Sequence, residues 1–218
     1  MGARYTLTIG SKNRSSWSLR PWLAMKTADI PFDEVLVPLD TAETKARILT
    51  RSPSGKVPAL IDGAITVWDS LAICEYLAER YPQRQLWPVD VEARAVARAV
   101  SAEMHSGFTA LRENMTVNCR KLLPGKGRAP GVEDDIARIT EIWTDCRRRF
   151  GEDGDFLFGR FSIADAMYAP VALRFRTYAV DVDTISAAYA QTILQLPAVQ
   201  DWVTQAGTES EILAAFER

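Results

Sequence analysis

The 218-residue sequence predicts an α/β domain over residues 1–82, with element order β-α-β-α-β-β-α and a mixed four-stranded sheet, and an all-helical domain over residues 89–218. Three observations carry this. Strand-like runs interleave with helical patterns as far as Tyr81-Pro82. A hairpin signal, Asp62-Gly63, stands between two short apolar runs. Beyond Trp87-Pro88 only helical periodicity remains, so Pro82 to Pro88 reads as the linker.

Tyr5-Thr6-Leu7-Thr8-Ile9 alternates as a strand does, and Gly10 to Arg14 supplies turn chemistry. Trp17, Leu19, Trp22, Leu23 and Met25 then keep helical spacing to about Ala28. Ser15 and Ser16 therefore stand at a helix start, where unpaired N–H groups and about half a positive charge favour an anion. Either serine suits an N-cap, and either can donate one more hydrogen bond to such an anion. Phe32 to Pro38 is a second strand, parallel to the first because a helix intervenes. Thr41 to Thr50 is a short, exposed helix. Pro58 opens the first hairpin strand, where it cannot donate to the ladder and where a cis bond is open to it. Asp69-Ser70 begins the next helix, which ends near Arg80-Tyr81-Pro82.

In the second half, Glu92 to about Met115 reads as one long helix, placing His105, Phe108 and Arg112 on one face. Asn118 to Gly131 is a loop rich in proline and glycine. Val132 to Phe150 is a helix with Ile136, Ile139, Trp143 and Phe150 inward. Ser162 to about Tyr178 is the most buried helix, opened by a capping-box spacing, Ser162 to Asp165, read as structural. Thr184 to Leu194 and Pro197 to Thr208 complete the set, with Pro197 in an allowed first-turn position.

Composition narrows the chemistry. With 47% hydrophobic and 25% charged residues the chain is ordinary globular protein, and a net charge of -2 argues against nucleic acid as an obligatory partner. No apolar run is long enough to span a membrane and no signal core opens the chain, so the expected location is the cytoplasm. Three scattered cysteines, Cys74, Cys119 and Cys146, suit reduced thiols rather than a disulfide frame or metal site. A single histidine nearly excludes a His-based metal centre or a triad, so no metal is expected. Hydroxyls, backbone groups, arginines or a bound co-substrate must supply the reactivity.

Ser15-Ser16 at the first helix start, Lys56-Val57-Pro58 before a hairpin, Asp69-Ser70 at the third helix start and Phe161-Ser162-Ile163-Ala164-Asp165 in a helical domain together resemble the cytosolic glutathione S-transferases, whose first domain is thioredoxin-like. Arg14-Ser15-Ser16-x-Ser18 and Arg174-Phe175 are most similar to the zeta class, which includes maleylacetoacetate isomerases. The resemblance implies glutathione as co-substrate, a homodimer, and a site opening between the two domains. It implies that Ser15 donates to the glutathione sulfur, with Ser16 in a supporting or alternative role. It further implies that Val57 pairs with the cysteinyl backbone beside a cis Pro58, that Asp69 and Ser70 receive the γ-glutamyl group, and that Lys56 reaches the glycyl carboxylate. Zeta-class enzymes carry cysteine where this chain has Trp17, which either lies against the peptide or packs under the helix.

The energetics agree with that implication. A thiol near pKa 8.5 is about 3% ionised at pH 7, and lowering its pKa by about two requires roughly 2.7 kcal/mol. One hydrogen bond to a charged group gives about 1.5–3 kcal/mol and a helix start about 0.3–1 more. For the electrophile pocket the candidates are His105, Phe108, Arg112 and Arg174. Arg174 resembles the zeta-class arginine that holds an acidic substrate, its alternative being a surface or interdomain salt bridge; His105 reads first as a packed, hydrogen-bonded histidine. Three functions follow: a transferase forming a thioether, a glutathione-dependent cis–trans isomerase of a conjugated diacid (maleylacetoacetate or maleylpyruvate type), and a non-catalytic binding protein of the same fold.

Overall fold

A computed structural model describes residues 5–209; the expected domain limits at 1 and 218 lie outside them. The first half is β1 (Tyr5–Gly10), α1 (Ser16–Thr27), β2 (Phe32–Val37), α2 (Thr44–Leu49), β3 (Ala59–Asp62), β4 (Ile65–Trp68) and α3 (Ser70–Arg80). The sheet order is β2-β1-β3-β4, with β1 and β2 parallel and the other two pairings antiparallel. Asp62 pairs with Ile65, so the hairpin turn is Gly63-Ala64 rather than Asp62-Gly63, and Gly63 takes φ +59 at the first central position. This is the mixed thioredoxin-like arrangement expected from the sequence.

Register fixes where the interesting ends fall. Thr8, near the end of β1, faces Ala59 at the start of β3, and Ala59 faces Trp68 at the end of β4. The chain leaving β1 for α1, the chain entering β3, and the chain leaving β4 for α3 therefore meet at one end of the sheet.

After one 3-10 turn at Pro82–Arg84 come α4 (Val91–Ser106), α5 (Thr109–Asn114), α6 (Val132–Phe150), α7 (Ile163–Tyr178), α8 (Thr184–Gln195) and α9 (Pro197–Thr208). The single long helix expected from Glu92 to Met115 is in fact two. Gly107 closes α4 with its N–H on Glu103 O at 2.8 Å, and a Cβ there would stand 2.9 Å from that oxygen. Phe108 follows in the left-handed region at φ +59, and Arg112 Nη1 turns back to donate to Met104 O (3.2 Å) and His105 O (3.0 Å). Those donations satisfy carbonyls that the break would have orphaned. The shared helical face of His105, Phe108 and Arg112 does not exist.

α7 is the axis of the helical half, buried along nearly its whole length and packed on α1, α4 and α8. The Ser162–Asp165 box is present, and Asp165 does more than close it. Oδ2 accepts from Ser162 N–H (2.8 Å) and Ser162 Oγ (3.0 Å); Oδ1 accepts from Leu157 N–H (3.0 Å) and Tyr189 Oη (3.1 Å). Burial pushes this carboxyl up to about 6 despite those four bonds. Trp143 lies edge-on to Tyr168 and Tyr189 and tilted on Phe175, tying α6, α7 and α8 together. No helix among the described residues is long and apolar enough to cross a membrane.

Candidate active site

Ser15 caps α1. Its Oγ accepts the Ser18 N–H at 3.3 Å and donates to Ser18 Oγ at 2.7 Å, and Ser18 Oγ also accepts the Gly10 N–H at 3.0 Å. Ser15 is buried at 6% exposure, whereas Ser16 is half-buried one position on. The two serines are thus unequal: Ser15 is the cap, inside a hydroxyl cluster.

The loop that carries Ser15 is fastened by the far end of the chain. Trp202 Nε1 donates to Lys12 O (2.9 Å), the Cys119 N–H donates to Asn13 Oδ1 (2.8 Å), and the Asn13 N–H donates to Glu209 Oε2 (3.0 Å). The Lys12 N–H meets the other Glu209 oxygen, and its buried ammonium pairs with Glu34 between the Trp22 and Trp202 rings. Cys119 beside it is an inert thiol, pushed up to about 12 by burial.

Around the same end of the sheet, the Val57–Pro58 peptide is cis, and among the described residues neither backbone group of Val57 has a backbone partner. Lys56 is exposed. Asp69 caps α3 at φ +75, its Oδ1 accepting the Leu71 N–H (2.9 Å) and the Ala72 N–H (3.4 Å). A non-glycine residue held there is over-determined by those bonds, which is common at binding sites. Ser70 is 1% exposed and its Oγ has no hydrogen-bond partner among the described residues.

Trp17 is not packed beneath α1. Its half-buried indole lies against the guanidinium groups of Arg20 (4.4 Å) and Arg112 (4.7 Å) and edge-on to His105 (5.2 Å). Arg174 is 4% exposed; its Nε donates to Met115 O (2.7 Å) and its Nη1 has no partner among the described residues. Among the described residues no salt bridge holds it there, and burial with the nearby Arg112 pushes it down to about 10. Phe108, by contrast, belongs to the hydrophobic core.

Arg20 was not foreseen. It is 2% exposed, Nε and Nη1 lack hydrogen-bond partners among the described residues, and burial with Arg174 and Arg112 pushes it down to about 9. A guanidinium stays charged at neutral pH even so. The signal was an arginine inside an apolar stretch, Leu19-Arg20-Pro21-Trp22. Arg20 and Arg112 thus flank Trp17, with Arg174 near enough to act on Arg20; Asp69 acts on Arg20 and Asp135 on Arg112, but none of the three arginines is ion-paired among the described residues. A cavity of about 620 Å³ lies elsewhere, against the linker and the far end of α1, and contains none of these residues. No cluster among the described residues could hold a metal ion.

A four-stranded mixed sheet with its helices thus carries a capping serine, a cis-proline turn and an Asp-Ser helix start at one end. Residues 14–80 match the glutathione S-transferase N-terminal domain and residues 129–205 its C-terminal domain. The chain belongs to the glutathione S-transferase family. Relatives include a zeta-class glutathione S-transferase of Euphorbia esula, 30% identical over 61% of this chain and 60% of that one, and the maleylacetoacetate isomerase of Rattus norvegicus, 35% identical over 49% of each. Glutathione S-transferase Z2 of Arabidopsis thaliana is 24% identical over 91% of each. The chain spans about half to three-fifths of the length of the first relatives it matches. In fold it is similar to a glutathione S-transferase of the Antarctic clam Laternula elliptica (TM-score 0.72, 22% identity, 96% of each chain). It is likewise similar to a Burkholderia glutathione transferase homolog solved with bound glutathione (TM-score 0.68, 24% identity, 93% and 97%).

Proposed function

We propose that this protein is a glutathione transferase in which Ser15, at the N-terminus of α1, holds the glutathione sulfur as thiolate for attack on a small electrophile. The observation that carries the reading is the meeting of the Ser15 loop, the Val57–Pro58 turn and Asp69-Ser70 at one end of the sheet. Val57 would pair with the cysteinyl backbone, Asp69 would take the γ-glutamyl amine, and Ser70 with the α3 amides would take its carboxylate. Lys56, being exposed, is free to swing to the glycyl carboxylate. The energy required for the thiolate, roughly 2.7 kcal/mol, lies within what one charged hydrogen bond and a helix start supply.

A second reading, a glutathione-dependent isomerase of an unsaturated diacid, is favoured by one observation: the buried Arg20 and half-buried Arg112 against Trp17, with the buried Arg174 near both arginines. Cations that are not ion-paired among the described residues suit an acid-bearing second substrate. With this goes a two-domain division at residues 82 and 89, a cytoplasmic location and a homodimeric state, all supported by family membership.

The deciding experiment titrates the thiolate ultraviolet band of bound glutathione in wild type, Ser15→Ala and Ser16→Ala. A bound-thiol pKa well below the free value, carried back toward it by Ser15→Ala, is expected. An unshifted thiol in the wild type would leave the serines as ordinary caps and favour a binding protein. Turnover of aryl halides against unsaturated diacids, with Arg174→Met, then separates transferase from isomerase.

A further inference from the structure

We infer that Ser18 is a positioning residue for Ser15, the inner member of a hydroxyl chain that lets Ser15 turn its hydrogen to the glutathione sulfur. This rests on the reading of Ser15 as the thiolate donor. Ser18 lies one turn into α1, wholly buried, and its Oγ takes hydrogen bonds from the Gly10 N–H (3.0 Å) and from the Ser15 hydroxyl (2.7 Å). In that arrangement the one hydrogen of Ser15 points inward, away from any ligand.

Donation to sulfur needs that hydrogen turned outward. The two oxygens, 2.7 Å apart, would then face each other with lone pairs alone. Ser18 resolves the conflict because a hydroxyl rotates and is both donor and acceptor. Its own hydrogen turns onto Ser15 Oγ, while the Gly10 N–H keeps its acceptor. The resulting chain runs Gly10 N–H to Ser18, Ser18 O–H to Ser15, Ser15 O–H to thiolate, every hydrogen in one direction. No proton passes between the serines, and the thiol proton leaves to solvent. Hydrogen bonds aligned in series polarise one another, so the outer donor becomes stronger than an isolated serine. Ser18, wholly buried beside the nearly buried Ser15, is the hydroxyl placed to complete the chain.

The test is the bound-thiol titration extended to Ser18→Ala and to Ser15→Ala/Ser18→Ala. Ser18→Ala is expected to lower the thiolate fraction of bound glutathione at pH 6.5 by about three- to tenfold, with the double variant no worse than Ser15→Ala alone. Ser18→Cys, of similar volume but weak hydrogen bonding, shifts the same way if Ser18→Ala fails to fold; its own thiol is subtracted with a glutathione-free blank. A merely structural serine would lower Tm or glutathione affinity and leave the bound-thiol pKa in place. A wild-type thiol pKa in a folded Ser18 variant, or effects of the two serines that simply add, overturns the inference. If Ser15→Ala shifts the thiol and Ser18→Ala does not, only the relay fails; if neither shifts it, the reading of Ser15 fails as well.

Discussion

His105, in the last turn of α4, brings Nε2 to 3.2 Å from Oδ2 of Asp69, the cap of α3. The helical half thus touches the carboxylate proposed for the glutathione amine. Burial is the main force lowering the His105 pKa, Arg20 and Arg112 add to it, and Asp69 opposes them. With its folded pKa depressed, His105 contributes stability that is present above its unfolded pKa near 6.5 and is lost as pH falls through the folded value. Once charged, it also competes with the ligand's ammonium for Asp69. Glutathione affinity is therefore expected to fall on the acid side, and His105→Gln to flatten that fall. Kd measured from pH 5 to 7.5 checks it; parallel curves for the two proteins would sink the idea.

Arg20 is expected to cost the free protein stability. Two of its nitrogens lack hydrogen-bond partners among the described residues, with Arg174 and Arg112 as like charges. Arg20→Met should leave Tm unchanged or raise it, because a packed apolar chain often replaces a buried charge without loss. Stabilisation by an unsaturated diacid should shrink in the same variant. A loss above about 3 kcal/mol in ligand-free buffer would mean the charge is already compensated.

Asp165 should make stability depend on pH in an unusual sense. Its folded pKa of about 6 is above the ordinary carboxyl value of 3.8, so its contribution is full below the unfolded pKa and is lost as pH rises through about 6. The destabilisation caused by Asp165→Asn is therefore expected to shrink between pH 4 and 7 by roughly 2 kcal/mol. Urea denaturation at the two ends of that range measures it. Ser162→Ala, which removes only the cap hydroxyl, should cost about 1 kcal/mol at either pH.

Glu209 holds the Lys12 and Asn13 N–H groups of the serine loop from beyond α9. Glu209→Ala should cost about 1–2 kcal/mol and lower kcat more than it changes the glutathione KM, because the loop positions the donor rather than the peptide. Glu209→Gln, which keeps an acceptor oxygen, should recover part of the loss. Steady-state kinetics with melting curves distinguish the two effects.

Local rules made most of the chain legible. The strand-helix alternation, the α6 limits at Val132 and Phe150 and the Ser162–Asp165 box depend on spacing and caps within a few residues, and they stand as read. The break after Ser106 was legible too, since His105 in a last turn followed by Gly107 is a stop signal. Helical spacing on both sides hid it. Arg20 and Ser18 could not be placed from periodicity, because their roles depend on α3, α5 and α7 or on a hydroxyl across one turn. The Glu209 contact joins positions nearly the whole chain apart, which no local pattern encodes.

The break between α4 and α5 has a consequence for how an acid would be received. Arg112 spends Nη1 on the two carbonyls at the end of α4, which fixes a side chain that would otherwise sample many rotamers. Its freedom is surrendered during folding, so a carboxylate arriving at its remaining nitrogens meets a preorganised partner and loses less entropy on binding. A glycine that stops one helix thereby enters the affinity of a site several residues away, as order established before any ligand arrives.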